Sequence, residues 1–411
     1  MRSGTTMNKD LTSPTISKNR IVELDIFRGF AILGIFMVNI LVMNVSLVYR
    51  LDWEAEQTEW IQGASLFVLE TFFYSKFFTI FSFLFGLGVA LQVQQLKNRA
   101  CYNINFFLRR FGSLFGFGVL HILFIWSGDI LHLYAVLGLI LLFMFRFSAK
   151  TILWSAAIFF FFPFFGVLYE QLMEFLSIDY KHYLSEFSRD EITELKRNGS
   201  YLSGMQIRLK EFSFASGFLY PGIAPMSISM MLLGGYIVKK EYLFQIESFT
   251  RTIKKPLLRF LFVIVIYRFT LLYWILPSFN ITHGTYPSIA LATFYQLSDI
   301  TLAMFFLWTI ARIIHLQFFM KILIPLKYVG RSALSNYILQ SIFGYFIMRT
   351  FNGYDTFSAF ECFVLVFSLF TLQVFISKIW LSYFQFGPLE WCWRCISYMN
   401  FLPIRKSNSQ H

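Results

Sequence analysis

The stretch LDIFRGFAILGIFMVNI, Leu24 to Ile40, decides the fold. It is apolar throughout except for Asp25 and Arg28 at one end and Asn39 near the other, and the apolar character continues to residue 47. A helix needs about 20 such residues to cross the hydrocarbon of a bilayer, so residues 25–47 read as a membrane span. Arg28 and Asn39 are eleven residues apart, which places them roughly 16 Å apart along a helix, about half a bilayer core. They are polar stations toward the two sides of the membrane.

The rest of the chain agrees. Its 411 residues are 57% hydrophobic and 20% aromatic, with 54 phenylalanines and only 14% charged side chains. Soluble domains carry about 25% charge, so the surplus apolar surface must face lipid. The formal net charge of +12 does not point to nucleic acid, because the basic residues sit in short linkers between apolar runs, where they set topology and touch anionic lipid. The four cysteines, Cys101, Cys362, Cys392 and Cys395, are too scattered for a disulfide framework. Residues 1–20 are polar and lack an apolar core and cleavage site, so they read as a cytoplasmic tail and not a signal peptide.

About ten windows are long and apolar enough to be spans: 25–47, 76–96, 105–126, 129–146, 151–173, 214–238, 257–277, 287–313, 332–350 and 357–380. The expected fold is therefore an all-α polytopic helical bundle, a single membrane domain over residues 21–384. Linkers such as KNRACYNINFFLRR and KKEYLFQIESFTRTIKKPLLR are basic, whereas LDWEAEQTEW is acidic. The positive-inside rule then places both termini in the cytoplasm. Residues 52–75, with Trp53, Trp60 and Phe72 among acids, are expected as an interfacial helix on the outer face. The charged stretch within 174–213 is expected as an outer helical lid, and residues 385–411 as an interfacial Trp-rich tail.

Ionisable groups within spans are costly and mark function. His121 falls near the end of the third span, Asp129 opens the fourth and His132 follows one turn on; the tight SG turn between the spans lets His121 approach Asp129. An imidazole oriented by a carboxylate makes a general base near neutral pH. Alternatively Asp129 only caps its helix. Lys76 sits at the outer mouth of the second span, either snorkelling to headgroups or facing a substrate. Arg268 and Asp299 are mid-span and read as a structural pair, and Glu361 starts the last span. Arg28, Arg109, Arg110 and Arg331 gather at cytoplasmic helix mouths, where guanidinium forks suit phosphate, although Arg109 and Arg110 are also what topology alone supplies. The C-x-x-C of EWCWRC has no second pair and no redox context, and no metal-ligand or Gly-rich phosphate motif occurs.

The blocks LDIFRGFAILGIFMVNI, KFFTIFSFLFGLGVAL, RRFGSLFGFGVLHILFIWSGDILHLYAVLGL, VGRSALSNYILQS and FGPLEWCWR, in that order from about residue 21 to 394, resemble the signature blocks of the YeiB-like bacterial membrane proteins, domain of unknown function 418. That family is similar to the transmembrane acyltransferases, among them the acyltransferase-3 enzymes and the lysosomal heparan glucosaminide acetyltransferase. The resemblance implies a bundle that takes an acyl group from a cytoplasmic acyl-CoA-type donor, with no bound cofactor, and places it on an acceptor across the membrane. One departure stands out: acyltransferase-3 proteins pair Arg with His eleven positions on, whereas this chain has Arg28 and Asn39. Asn does not titrate near neutral pH. The lysosomal branch also has Asn there and takes its His from the next lumenal segment, but residues 40–75 contain none.

The function expected is thus acyl or acetyl transfer to an envelope glycan, a lipid or a small metabolite. His121 would be the base, Asp129 its orienter and Asn39 a donor to the carbonyl oxygen. Lys76 and His132 would line the acceptor side. The alternative is a permease for a small or lipidic solute that uses the same polar groups as a binding site.

Overall fold

The computed structural model describes residues 21–162, 164–178, 187–271, 274 and 286–406, without the side chains of residues 244 and 286–293. The 1–20 tail, residues 179–186 of the expected lid and residues 407–411 lie outside this set. The described residues are all-α, with a single β-bridge between Phe384 and Arg405.

In chain order the helices are α1 (Val22–Asn44), α2 (Arg50–Glu56), α3 (Trp60–Val68), α4 (Lys76–Asn98), α5 (Ile104–Phe124) and α6 (Leu131–Met144). Then follow α7 (Ala149–Phe161), α8 (Phe165–Phe175), α9 (Arg189–Arg197), α10 (Tyr201–Phe218), α11 (Ala224–Lys239) and α12 (Ile246–Thr270). The last are α13 (Tyr286–Ile313), α14 (Gln317–Leu323), α15 (Leu326–Arg331), α16 (Ala333–Thr350), α17 (Ala359–Tyr383) and α18 (Pro388–Tyr398).

Six helical stretches among the described residues are long and apolar enough to cross a membrane: Val22–Asn44, Trp60–Asn98, Ile104–Phe124, Tyr201–Lys239, Phe294–Ile313 and Ala359–Tyr383. A seventh exists only if α7 and α8, bent by 72° at a break, form one span. The protein is a helical membrane protein, but the count of ten is not met on these terms. The α6 helix has only 14 residues, roughly 21 Å of rise, α12 opens with Arg251, Lys254, Lys255 and Arg259, and α16 carries Asn336, Gln340 and Arg349. In α17 just 28% of the most apolar window is buried, and Phe367, Phe375 and Ile379 point outward as lipid-facing residues do.

Two expected boundaries move. Residues 60–75 do not form a separate interfacial helix: α3 runs through a π turn, Leu69–Phe73, into α4, and Trp53 is buried. The tail is not merely interfacial either. Trp393 Nε1 donates to the Arg110 carbonyl at 2.7 Å, which pins α18 against α5.

Glycines let the central helices touch backbone to backbone. A Cβ on Gly29 would stand 2.1 Å from the Leu326 carbonyl oxygen, and one on Gly330 would stand 1.8 Å from that of Asp25. That close approach joins α1 to α15 and brings Asp25, Arg28 and Arg331 to one rim, called here the arginine face. The C-terminal end of α5, the start of α6 and the α9–α10 layer lie at the opposite, histidine face.

Candidate functional site

The centre of the site is built on the α5–α6 hairpin. His121 is one turn from the end of α5, and the chain reverses through Ser127 and Gly128 before α6 begins. Asp129 is buried in that reversal, its Oδ1 3.0 Å from His121 Nδ1 and its Oδ2 2.8 Å from His132 Nδ1. Oδ2 also accepts the His132 backbone N–H at 3.0 Å. Asp129 thus accepts an N–H in the first turn of α6 and contacts the Nδ1 of two histidines. Gly118, one turn before His121, makes this possible. A Cβ there would lie 2.4 Å from His132 N and 2.7 Å from Asp129 Oδ2.

A carboxylate against both Nδ1 atoms keeps the proton on Nδ1 and the lone pair on Nε2. For His132 that lone pair faces the Tyr220 hydroxyl at 3.2 Å. For His121, Nε2 is buried without a hydrogen-bond partner. The Tyr337 ring packs 5.4 Å from the His121 ring and the Trp126 ring 6.3 Å from it, edge-on.

Those two aromatic residues border different cavities. On the arginine face a cavity of about 320 Å³ is rimmed by Asp25, Arg28, Arg110, Arg331, Glu390 and Arg394, and reaches inward to Ile130, Tyr134 and Tyr337. Ligand pockets begin near ~300 Å³. Arg28 pairs with Asp25 at 3.3 Å, and Arg110 lies 3.6 Å over the Trp393 ring. Glu390 accepts the N–H of Leu334 at 2.7 Å and that of Ser335 at 3.2 Å, capping α16 from α18. Desolvation by the packing around this carboxyl pushes its pKa above the ordinary value, against the hydrogen bonds that lower it. On the histidine face a smaller cleft lies between α10 and α16, with Trp126 in its wall. His121 thus stands between the two openings.

Of the expected groups, Arg28, Arg110 and Arg331 share the larger cavity, whereas Arg109 does not. Its Nε donates to the Ser397 carbonyl at 3.1 Å, fastening α18. Asn39 is half-buried on α1, and no hydrogen bond joins it to His121 or Asp129 among the described residues. Lys76 is not at an open mouth. It is 1% exposed, 2.7 Å from Asp299 Oδ1, which also binds Arg268 Nη1 at 2.7 Å. The carbonyl of Glu70, in the π turn before α4, accepts from Lys76 Nζ at 2.7 Å and from Arg268 at 3.3 Å. The structural Arg268–Asp299 pair is present, with Lys76 added. Glu361 belongs to a capping box with Ser358 at the start of α17, and Cys392 and Cys395 are free thiols. No group of three or more potential metal ligands occurs among the described residues.

Residues 237–400 match the family described as Protein of unknown function (DUF418). The chain is similar to Uncharacterized protein YxaH of Bacillus subtilis (strain 168), 26% identical, with 96% of this chain and 98% of that protein covered. An Uncharacterized 39.9 kDa protein in amylase 3'region of Bacillus acidopullulyticus is 27% identical, covering 95% and 97%. Uncharacterized protein YeiB of Escherichia coli (strain K12) is 25% identical, covering 91% and 95%. The chain is thus similar to the YeiB-like DUF418 proteins. No solved structure matches it. The matched stretch supplies α15, α16 and α18, hence Arg331, Tyr337, Glu390 and Trp393, while His121 and Asp129 come from the part before it. Sequence reasoning missed Gly118, Tyr220, Tyr337 and Glu390. Only the i, i+3 spacing of Gly118 and His121, which puts both on one helix face, was a usable signal.

Proposed function

We propose that this protein transfers an acyl group across the membrane, from an acyl-CoA-type donor at the arginine face to an acceptor at the histidine face. The observation that carries the proposal is His121: its Nδ1 is held by Asp129, its Nε2 is buried and unpartnered, and it stands between the two openings. The guanidinium groups of Arg28, Arg110 and Arg331 suit the donor's phosphates. His121 Nε2 takes the proton from the acceptor hydroxyl or amine as that atom bonds the acyl carbon. The donor sulfur then leaves and takes up the proton, so the products are the acylated acceptor and a thiol. Nothing in the contacts of Asn39 supports a role for it at the carbonyl oxygen, and Lys76 is committed to Asp299.

In this proposal the arginine face is cytoplasmic, as the basic linkers require, and the protein sits in a bacterial inner membrane. The α6, α12 and α16 helices and the α7–α8 pair complete a ten-crossing bundle around the six helical stretches that are long and apolar enough alone. Acceptors in keeping with the site are an envelope glycan, a lipid or a small metabolite. A second proposal, solute transport, draws on the Lys76–Asp299–Arg268 cluster beside the broken helix at Leu69–Phe73.

The deciding test incubates purified protein in nanodiscs with acyl-labelled acetyl-CoA and a crude envelope extract. Label transfer with release of CoA supports the enzyme. Uptake of a solute into proteoliposomes without CoA release overturns it in favour of transport.

A further inference from the structure

The cleft on the histidine face has a charge pattern that a purely apolar or neutral ligand does not need. Lys196 from α9, Arg208 from α10 and Arg349 from α16 line it, against the one carboxylate of Glu211. Lys196 Nζ lies 2.6 Å from Glu211 Oε1, and Ser127 Oγ donates to Oε2 at 3.1 Å. Arg208 donates through Nε and Nη2 to the Leu123 carbonyl and stacks 5.1 Å from the Tyr201 ring. Arg349 Nη2 donates to the Gly199 carbonyl at 2.7 Å. These contacts hold three cations at one opening and leave an excess of positive charge. Beside them Ser341 is 1% exposed, and its Oγ is buried in the cleft wall without a partner. A buried hydroxyl left unpaired is costly unless something else bonds it.

We infer that this cleft binds an oxyanion, a carboxylate or phosphoryl group, with the guanidinium of Arg349 and the hydroxyl of Ser341 as its donors. The free volume is about 30 Å³, two to three times the ~10–15 Å³ that one water requires. It fits the oxygens of one small anionic group, so the remainder of the ligand extends outward. Trp126 is the partition between this group and His121. Under the transfer proposal the anion belongs to the acceptor and positions its nucleophile. That identification rests on the proposal, but the anion site itself does not.

Binding is therefore measured without turnover, on the full chain in nanodiscs, as the shift in thermal midpoint with glycerate against glycerol at matched ionic strength. Glycerol 3-phosphate serves as the phosphoryl probe. A site occupied at a hundred times its Kd raises the midpoint measurably, by about 2.7 kcal/mol of linkage. Glycerate or glycerol 3-phosphate should raise it and glycerol should not. Arg349→Met should cut the response at least tenfold in apparent Kd, Ser341→Ala should weaken it, and Arg349→Lys, which keeps the charge, should restore part of it. Arg251→Gln, at an exposed arginine outside both openings, should leave it unchanged. Should Arg349→Met fail to fold, Ser341→Ala alone carries the comparison. An equal response to glycerol, a response no larger than that to chloride, or one lost in Arg251→Gln but kept in Arg349→Met and Ser341→Ala would overturn the inference. Binding without acyl transfer would leave the anion site standing and remove only the enzyme.

Discussion

His121 Nε2 is buried near the end of α5 without a partner, and its neighbours decide what substitution does. His121→Ala should lower transfer by about 10²–10⁴-fold, the usual worth of a general base, while the protein still elutes as a folded species on size exclusion. Asp129→Asn separates cap from orienter. Three N–H groups converge on the two oxygens of Asp129, so an amide must turn its own NH2 toward one of them. Asn caps a helix about as well as Asp, and a cap alone would leave the variant active. The expected outcome is a loss approaching that of His121→Ala, with the double variant little worse than the poorer single one, because groups acting as a unit are not additive. Gly118 gives a second test, because Gly116 is its control on the same helix. A Cβ at Gly116 meets nothing within 4 Å, while one at Gly118 strikes Asp129 and His132. Gly118→Ala should cost about 1–3 kcal/mol of stability together with activity, and Gly116→Ala should be neutral or stabilising by up to ~1 kcal/mol, read as thermal midpoints. The His121–Asp129 contact was legible in the sequence because eight residues and a tight turn close it. Tyr220 and Tyr337 were not, since both arrive from distant helices whose packing no local pattern encodes.

At the level of elements, the sequence marked the long apolar helices well and their interruptions poorly. The π turn at Leu69–Phe73 leaves the hydrophobic pattern almost intact, so nothing along the chain announces it, whereas Leu219–Ile223 holds Pro221 and Gly222, a break signal inside an otherwise apolar run. Yet each supplies a functional group: the Glu70 carbonyl goes to Lys76 and Arg268, and the Tyr220 hydroxyl goes to His132. Breaks of this kind recur at functional sites. The α9 helix was more readable, being densely charged and starting with a capping box at Ser188. It is held to its neighbours by Arg189, bidentate to Glu56 at 2.6 and 2.8 Å and to Asp355 at 2.6 and 2.7 Å. The hydrogen bonds from Arg189 lower the pKa of Glu56, while the two carboxylates raise that of Arg189. A depressed carboxyl contributes stability above its unfolded pKa of about 4.3 and loses it as pH falls through the folded value. The protection factors of the α9 amides, that is exchange corrected for its intrinsic pH dependence, should therefore fall below about pH 4 and stay flat from pH 6 to 8. Arg189→Gln should be poorly protected at every pH; an unchanged acid response in that variant would remove the ion pairs as its cause.

For the whole molecule, the basic linkers between apolar runs are the signal that orients membrane helices, and the proposed sidedness rests on them. The tightness of the bundle was hidden, since helix contacts made at glycines such as Gly29 and Gly330 depend on partners some three hundred positions away. Orientation is testable with a single cysteine. Glu194, exposed on α9, should as Glu194→Cys react with a membrane-impermeant maleimide in intact spheroplasts, in a background where Cys101, Cys362, Cys392 and Cys395 are replaced. Labelling only after lysis would reverse the proposed sidedness.

The rim supplied by α18 also sets an order of events during biosynthesis. Glu390, Trp393, Arg394 and Tyr398 close one side of the arginine-face cavity, and the ribosome makes them after every other wall of it. At about 5–20 residues per second, the other walls emerge seconds to tens of seconds earlier. During that interval α16 lacks its Glu390 cap and the cavity has a missing side. Under the transfer proposal a nascent chain therefore cannot hold a donor prematurely, and a message cut short before Gly387 should yield a protein whose arginine-face cavity lacks one wall.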